Sequence, residues 1–197
     1  MGRSKLLLPW GTTTVIEYLL ARLLDADVAS ISILIRQDDV PLVGQLESFR
    51  VAESTERSSR LHVMSAQHPP AEMRDSVLLL LREIDTKFSP ADTDAWMLVP
   101  ADSVAVELAT LSALLKRWQS GGQDILIPTH AGRRGHPAIF SWSLASRIDD
   151  IPPAHGVNWL CVQPDFHIQE FPVGDPALLA DLDTPEDYER WRAANDQ

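Results

Sequence analysis

Several stretches of this chain combine residue types suited to phosphate and metal chemistry. Asp102 follows directly on the apolar run Trp96-Met97-Leu98-Val99. A carboxylate at the mouth of a buried strand suits Mg²⁺, which takes one or two carboxylates and completes its shell with substrate phosphates; the same residue also suits the cap of a following helix. In Asp181-Leu182-Asp183-Thr184-Pro185-Glu186-Asp187, the alternate carboxylates Asp181 and Asp183 share one face if the segment is extended. An acidic helix start favoured by the helix dipole reads equally well there. Gly132-Arg133-Arg134-Gly135-His136-Pro137 sets backbone amides, guanidinium groups and an imidazole in one loop. That loop suits a phosphate, and a solvated turn has the same composition. Finally, Lys5 precedes Leu6-Leu7-Leu8 and Pro9-Trp10-Gly11, where a lysine would neutralise a triphosphate or simply mark a basic start. The other histidines, His62, His68, His130, His155 and His167, show no paired ligand spacing.

The elements between these stretches determine where their side chains can meet. Val15, Ile16, Leu19, Leu20, Leu23 and Leu24 recur at helical spacing behind threonines that can cap, which predicts a helix from Thr12 to about Asp25. The β-branched run from Ser30 to Ile35 predicts a strand. Asp38 and Asp39 offer N-caps to a helix over Pro41 to Phe49. Leu61 to Met64 is a second strand, Pro69-Pro70 a break, and Ala71-Glu72 the start of a long helix through Ile84. Trp96 to Val99 reads as a strand covered on both faces in a parallel sheet. A helix over Val106 to Gln119 ends at Gly121-Gly122. Strands follow at Asp124 to Pro128, Ala138 to Ser141 and Phe166 to Val173, with short helices at Ser143 to Ile148 and Val157 to Leu160 and a last helix from Thr184-Pro185. Alternating strands and helices imply a doubly wound α/β sheet, with its ligand outside the carboxyl ends of the strands. Asp102 stands at such an end.

Composition narrows the partners. The chain has 197 residues with 17 Lys and Arg against 28 Asp and Glu, a formal charge of −11. One domain is expected, burying roughly 70% of the surface the unfolded chain would expose. Strong acidity argues against duplex nucleic acid and anionic membranes, both of which reward clustered cations. The single cysteine, Cys161, excludes an internal disulfide and fits a reducing cytoplasm. Apolar runs such as Val77-Leu78-Leu79-Leu80-Leu81 fall far short of the ~20 residues that span a bilayer.

Taken in order, Lys5 to Gly11 with Thr14-Val15-Ile16-Glu17, Glu72 to Val77, Val99-Pro100-Ala101-Asp102, Pro128-Thr129 with Gly132 to Pro137, and Asp181 to Tyr188 resemble the MobA-like NTP transferases. The molybdenum cofactor cytidylyltransferases are the branch most similar. The resemblance implies a Rossmann-like nucleotidyltransferase fold over residues 1–197, three-layer α/β/α with a mostly parallel sheet. It also implies transfer of CMP from CTP, in preference to GTP, to the phosphate of a molybdopterin-type acceptor, and a protein partner that receives the cofactor. It makes Lys5 and Asp102 catalytic, Gly2 and Lys5 phosphate-binding, Asp102 and Asp183 ligands of Mg²⁺ with Asp181 assisting, and Arg134, Gly135 and His136 the acceptor side.

Two departures accompany it. Val104 stands where the family usually has proline. The family also opens with a strand and a glycine-rich loop, LAAGxSxRMGxxK, and this chain begins inside that motif: Met1-Gly2 match its MG and Lys5 its lysine. The first strand, the loop and the arginine are therefore expected to lie upstream of the recorded start. The other readings are an inactive binding or accessory homologue, or a nucleotidyltransferase with a sugar-phosphate or methylerythritol-phosphate acceptor.

Overall fold

A computed structural model describes residues 4–66, 68 and 70–195. Gly2, expected to bind phosphate, and Pro69 of the expected break lie outside the described residues.

The chain enters through a short turn at Lys5–Leu7 and a small hairpin, β1 (Pro9–Trp10) and β2 (Thr13–Thr14). Helix α1 (Val15–Asp25) starts on a capping box: the Thr14 hydroxyl accepts from the Glu17 amide, and the Glu17 carboxylate accepts from the Thr14 amide. Strand β3 (Ile31–Arg36) leads to α2 (Val40–Ala52), where the Asp39 side chain caps Leu42 at 3.2 Å. A short helix that the sequence pattern does not announce, α3 (Thr55–Ser59), precedes β4 (Leu61–Ala66). Next come α4 (Met73–Phe88), β5 (Ala95–Leu98), α5 (Leu108–Gln119), β6 (Ile125–His130), β7 (Arg133–Arg134) and β8 (Ala138–Ser141). Two 3₁₀ stretches, Trp142–Asp150 and Val157–Val162, precede β9 (Ile168–Pro172). A tight turn at Pro176–Leu179 then leads to α6 (Pro185–Asn195).

The strands form three sheets among the described residues: the hairpin, the parallel pair β3/β4, and a five-stranded sheet ordered β5-β8-β6-β7 with β9 on β6. Strands β5 and β6 both run antiparallel to β8, and β9 runs parallel to β6, so β5, β6 and β9 share one direction. The common direction agrees with the expected doubly wound pattern. The reading of Trp96 to Val99 as a strand within parallel neighbours needs correcting, because β5 pairs antiparallel with β8 and Trp96 stacks on Phe140 at 4.2 Å.

The central strands β6 and β8 are buried on both faces, with successive side chains entering opposite cores. Ile125, Ile127, Ala138 and Phe140 pack with Val77 and Leu81 of α4 and with the 3₁₀ stretches. Leu126 and Ile139 point to the opposite face, onto Leu114 of α5. Helices therefore cover both faces, the α/β/α layering of a Rossmann-like fold. A further core joins α1, α2 and β3 to Leu111 of α5, with Met97 and Val99 against it, so the separate sheets share apolar packing. No helix among the described residues is long and apolar enough to cross a membrane.

Candidate active site

An apolar platform positions the charged residues. Trp10, Val15, Val104, Leu182 and Tyr188 form one buried cluster, with Leu6 and Leu8 packed against it. Three of these lie beside candidate site residues in sequence: Leu6 follows Lys5, Val104 lies just beyond Asp102, and Leu182 separates Asp181 from Asp183. Leu182 is 1% exposed while both flanking aspartates are exposed, as an extended segment with one inward residue requires. Val104, also 1% exposed, anchors the loop after Asp102 by burial where the family usually has proline. The Tyr188 hydroxyl donates to the Pro9 carbonyl and ties α6 to the hairpin. Leu182→Ala is therefore expected to destabilise the chain by about 2–4 kcal/mol in urea unfolding, the usual cost of emptying a buried leucine site. A loss below about 1 kcal/mol would mean that the platform does not hold this segment.

On that platform the Lys5 ammonium lies between two carboxylates, 2.6 Å from Asp102 Oδ2 and 3.1 Å from Asp183 Oδ1. Burial alone would lower its pKa, but the hydrogen bonds and charges of Asp102 and Asp183 outweigh burial and raise it. Among the described residues Asp181 makes no ion pair; burial, and then repulsion from Asp102 and Asp183, push its carboxyl up against the weaker pull of His136 and Lys5. A carboxyl raised in the fold is a liability once ionised. Its favourable contribution is present below the ordinary carboxylate range and is lost as pH rises through its folded value. Asp181→Asn is thus expected to raise thermal stability at pH 7, by about 0.5 kcal/mol or less because the side chain is exposed, with no gain near pH 3. A gain that persisted at pH 3 would contradict this account.

Asp102 does not cap the helix that follows: α5 begins at Leu108 behind Glu107, whose amide donates to Asp175 at 3.0 Å. The acceptor-side residues divide. The Gly135 amide donates to Pro128 and the His136 amide to the Leu178 carbonyl at 3.1 Å. A Cβ on Gly135 would fall 2.8 Å from the Leu178 Cβ and closer still to its carbonyl oxygen, so only glycine fits there. His136 Nδ1 is buried and has no hydrogen-bond partner among the described residues. Burial lowers the imidazole's pKa, against the charges of Asp181 and Asp102. Arg134 is engaged elsewhere, with Glu170 at 2.7 Å and the Cys161 carbonyl at 2.9 Å. The structure thus joins Lys5, Asp102 and Asp183 by direct contact, adds Asp181 and His136 through their charges, and turns the Arg134 guanidinium to β9.

The donor set fits a hard divalent cation, since carboxylate oxygens from two chain segments already converge on one positive charge. Among the described residues, no group of three or more His, Cys, Asp or Glu forms a site that could hold a metal on its own. Two carboxylates leave a metal's remaining positions to phosphate oxygens and water.

The model of the MobA-like NTP transferase domain matches residues 1–163. Rv0371c from Mycobacterium tuberculosis, solved in complex with manganese, is 23% identical with a TM-score of 0.70, the match covering 98% of this chain and 94% of that one. A nucleotidyl transferase from Methanothermobacter thermautotroptrophicus is 19% identical with a TM-score of 0.73, covering 97% and 84%. A cytidylyltransferase from Leptospira borgpetersenii is 18% identical with a TM-score of 0.66, covering 96% and 78%. No curated protein matches the chain. These likenesses establish the fold, and the matched model covers most of the sequence.

Proposed function

Given that the chain belongs to the MobA-like NTP transferase family, we propose that it transfers CMP from CTP to the phosphate of a molybdopterin-type acceptor, with release of pyrophosphate. The observation that carries the reading is the Lys5 ammonium held between Asp102 and Asp183. Such a site neutralises and orients phosphates, which is most of what nucleotidyl transfer demands. An oxygen of the acceptor phosphate attacks the α-phosphorus, and the bond from that phosphorus to the β-phosphate bridging oxygen breaks with its electron pair leaving on pyrophosphate. Lys5 passes from the carboxylates to the phosphates and offsets their charge. Asp102 and Asp183, with Asp181 beside them, would hold Mg²⁺ or Mn²⁺, which supplies charge neutralisation at the phosphates when bound. Gly135 lets the loop approach Leu178 closely, and His136 offers its unpartnered Nδ1 to the acceptor.

The test is calorimetry of the chain with each NTP and Mg²⁺, followed by pyrophosphate release on adding a molybdopterin-type acceptor. Heat with CTP and acceptor-dependent release are expected. No heat with any NTP overturns the nucleotide assignment; release only with a sugar-phosphate or methylerythritol-phosphate acceptor overturns the acceptor.

A further inference from the structure

The residue that ties the halves of this site together lies outside every motif. Asp175 is 6% exposed, and both its oxygens have partners. Oδ2 accepts from the Glu107 amide at 3.0 Å and the Thr110 hydroxyl at 2.9 Å, while Oδ1 accepts from the Ala177 amide at 2.8 Å. These partners belong to separate stretches. Glu107 and Thr110 begin α5, directly after the loop that carries Asp102. Ala177 belongs to the Pro176–Leu179 turn, which leads into Asp181 and Asp183. The same turn supplies the Leu178 carbonyl that holds the His136 amide, and Leu178 packs in one core with Val106 and Leu111.

A helix cap explains the Glu107 and Thr110 bonds, and a carboxylate suits a helix N-terminus. The Ala177 bond is a second, local cap, on the turn that Asp175 itself opens; capping alone does not explain why α5 takes its cap from a residue 68 positions away. A carboxylate with bonds to both stretches fixes one against the other. We propose that Asp175 is a positioning residue that sets Asp102 against Asp181 and Asp183 and seats the Leu178 carbonyl at His136. The proposal rests on the nucleotidyltransferase reading for what the site does.

Asp175→Asn keeps the shape but replaces one acceptor with a donor. With its oxygen toward Glu107 and Thr110, its amide nitrogen meets the Ala177 N–H donor to donor. Thr110→Val removes one of these bonds. Mn²⁺ titration by paramagnetic resonance, with circular dichroism to confirm folding, reads geometry that stability alone would not move. Mn²⁺ affinity is expected to fall about tenfold in Asp175→Asn, as for groups that orient metal ligands, and about threefold in Thr110→Val. Affinities indistinguishable from the parent in both variants overturn the proposal. If Asp175→Asn does not fold, Thr110→Val decides by the same criterion.

Pyrophosphate release measured in parallel separates the two readings. A parent chain that binds Mn²⁺ but releases no pyrophosphate from any NTP, with Asp175→Asn weakened, removes the transferase reading and retains Asp175. Turnover in the parent with unchanged Mn²⁺ dependence in Asp175→Asn does the reverse.

Discussion

Asp102→Asn is expected to lower pyrophosphate release by about 10³-fold, the scale seen when one preorganised charge-stabilising group is removed, and to weaken Mn²⁺ binding at least about tenfold. The chain should keep its fold, for a reason visible in the contacts. The Asp102 side chain is 19% exposed and its partner Lys5 is 35% exposed. A pair so open to solvent contributes about 0–1 kcal/mol to a net stability of about 5–15 kcal/mol. The loop around it is held by Val104, which the substitution leaves in place. Lys5 also keeps Asp183 as a partner. An isosteric amide thus removes the charge without moving its support. Pyrophosphate assays at saturating CTP, with Mn²⁺ titration of the same preparation, give both readouts. Turnover within tenfold of the parent would remove Asp102 from the metal site.

Much of the scaffold around Asp102 is legible from residue spacing because its determinants are local. The stripe from Val15 to Leu24 and the Thr14–Glu17 box define α1 within a few turns of chain. The continuous apolar runs of β6 and β8 likewise need only their own residues. Features decided by distant partners are not legible in this way. The antiparallel seating of β5 on β8 depends on Trp96 meeting Phe140, which no local pattern announces. Helix α3 is too short to show a period. Within the candidate site, each acidic stretch read alone is as good a helix start as a metal ligand, and the family resemblance names the residues without their contacts. Lys5 meets Asp102 and Asp183 across 97 and 178 positions. Asp175 begins an Asp-Pro pair, a turn signal, but its hold on α5 spans 65 and 68 positions. Arg134 shows the converse: a guanidinium in a loop suited to phosphate is drawn off by Glu170 on β9, a strand paired to β6 and not to its own β7.

Lys5→Gln is expected to move two measurements in opposite directions. Pyrophosphate release should fall by about 10²- to 10³-fold, because glutamine offers the phosphates no charge. Mn²⁺ binding without nucleotide should instead tighten. In the parent chain a divalent ion that takes both Asp102 and Asp183 competes with an ammonium bonded to both at 2.6 and 3.1 Å. The raised pKa of Lys5 keeps that competitor charged throughout the neutral range. Each partly exposed pair is worth about 0.2–1 kcal/mol, so removing both should tighten Mn²⁺ binding roughly two- to thirtyfold. Added salt should narrow the difference, since exposed charges are screened within about 10 Å at 0.1 M. A lysine that served only to hold the fold would give a different result: unfolding would loosen the carboxylates and Mn²⁺ would bind more weakly in the variant. Weaker or unchanged Mn²⁺ binding in a folded Lys5→Gln chain would show that Asp102 and Asp183 do not share a cation site. Retained turnover would show that Lys5 does not act on the phosphates.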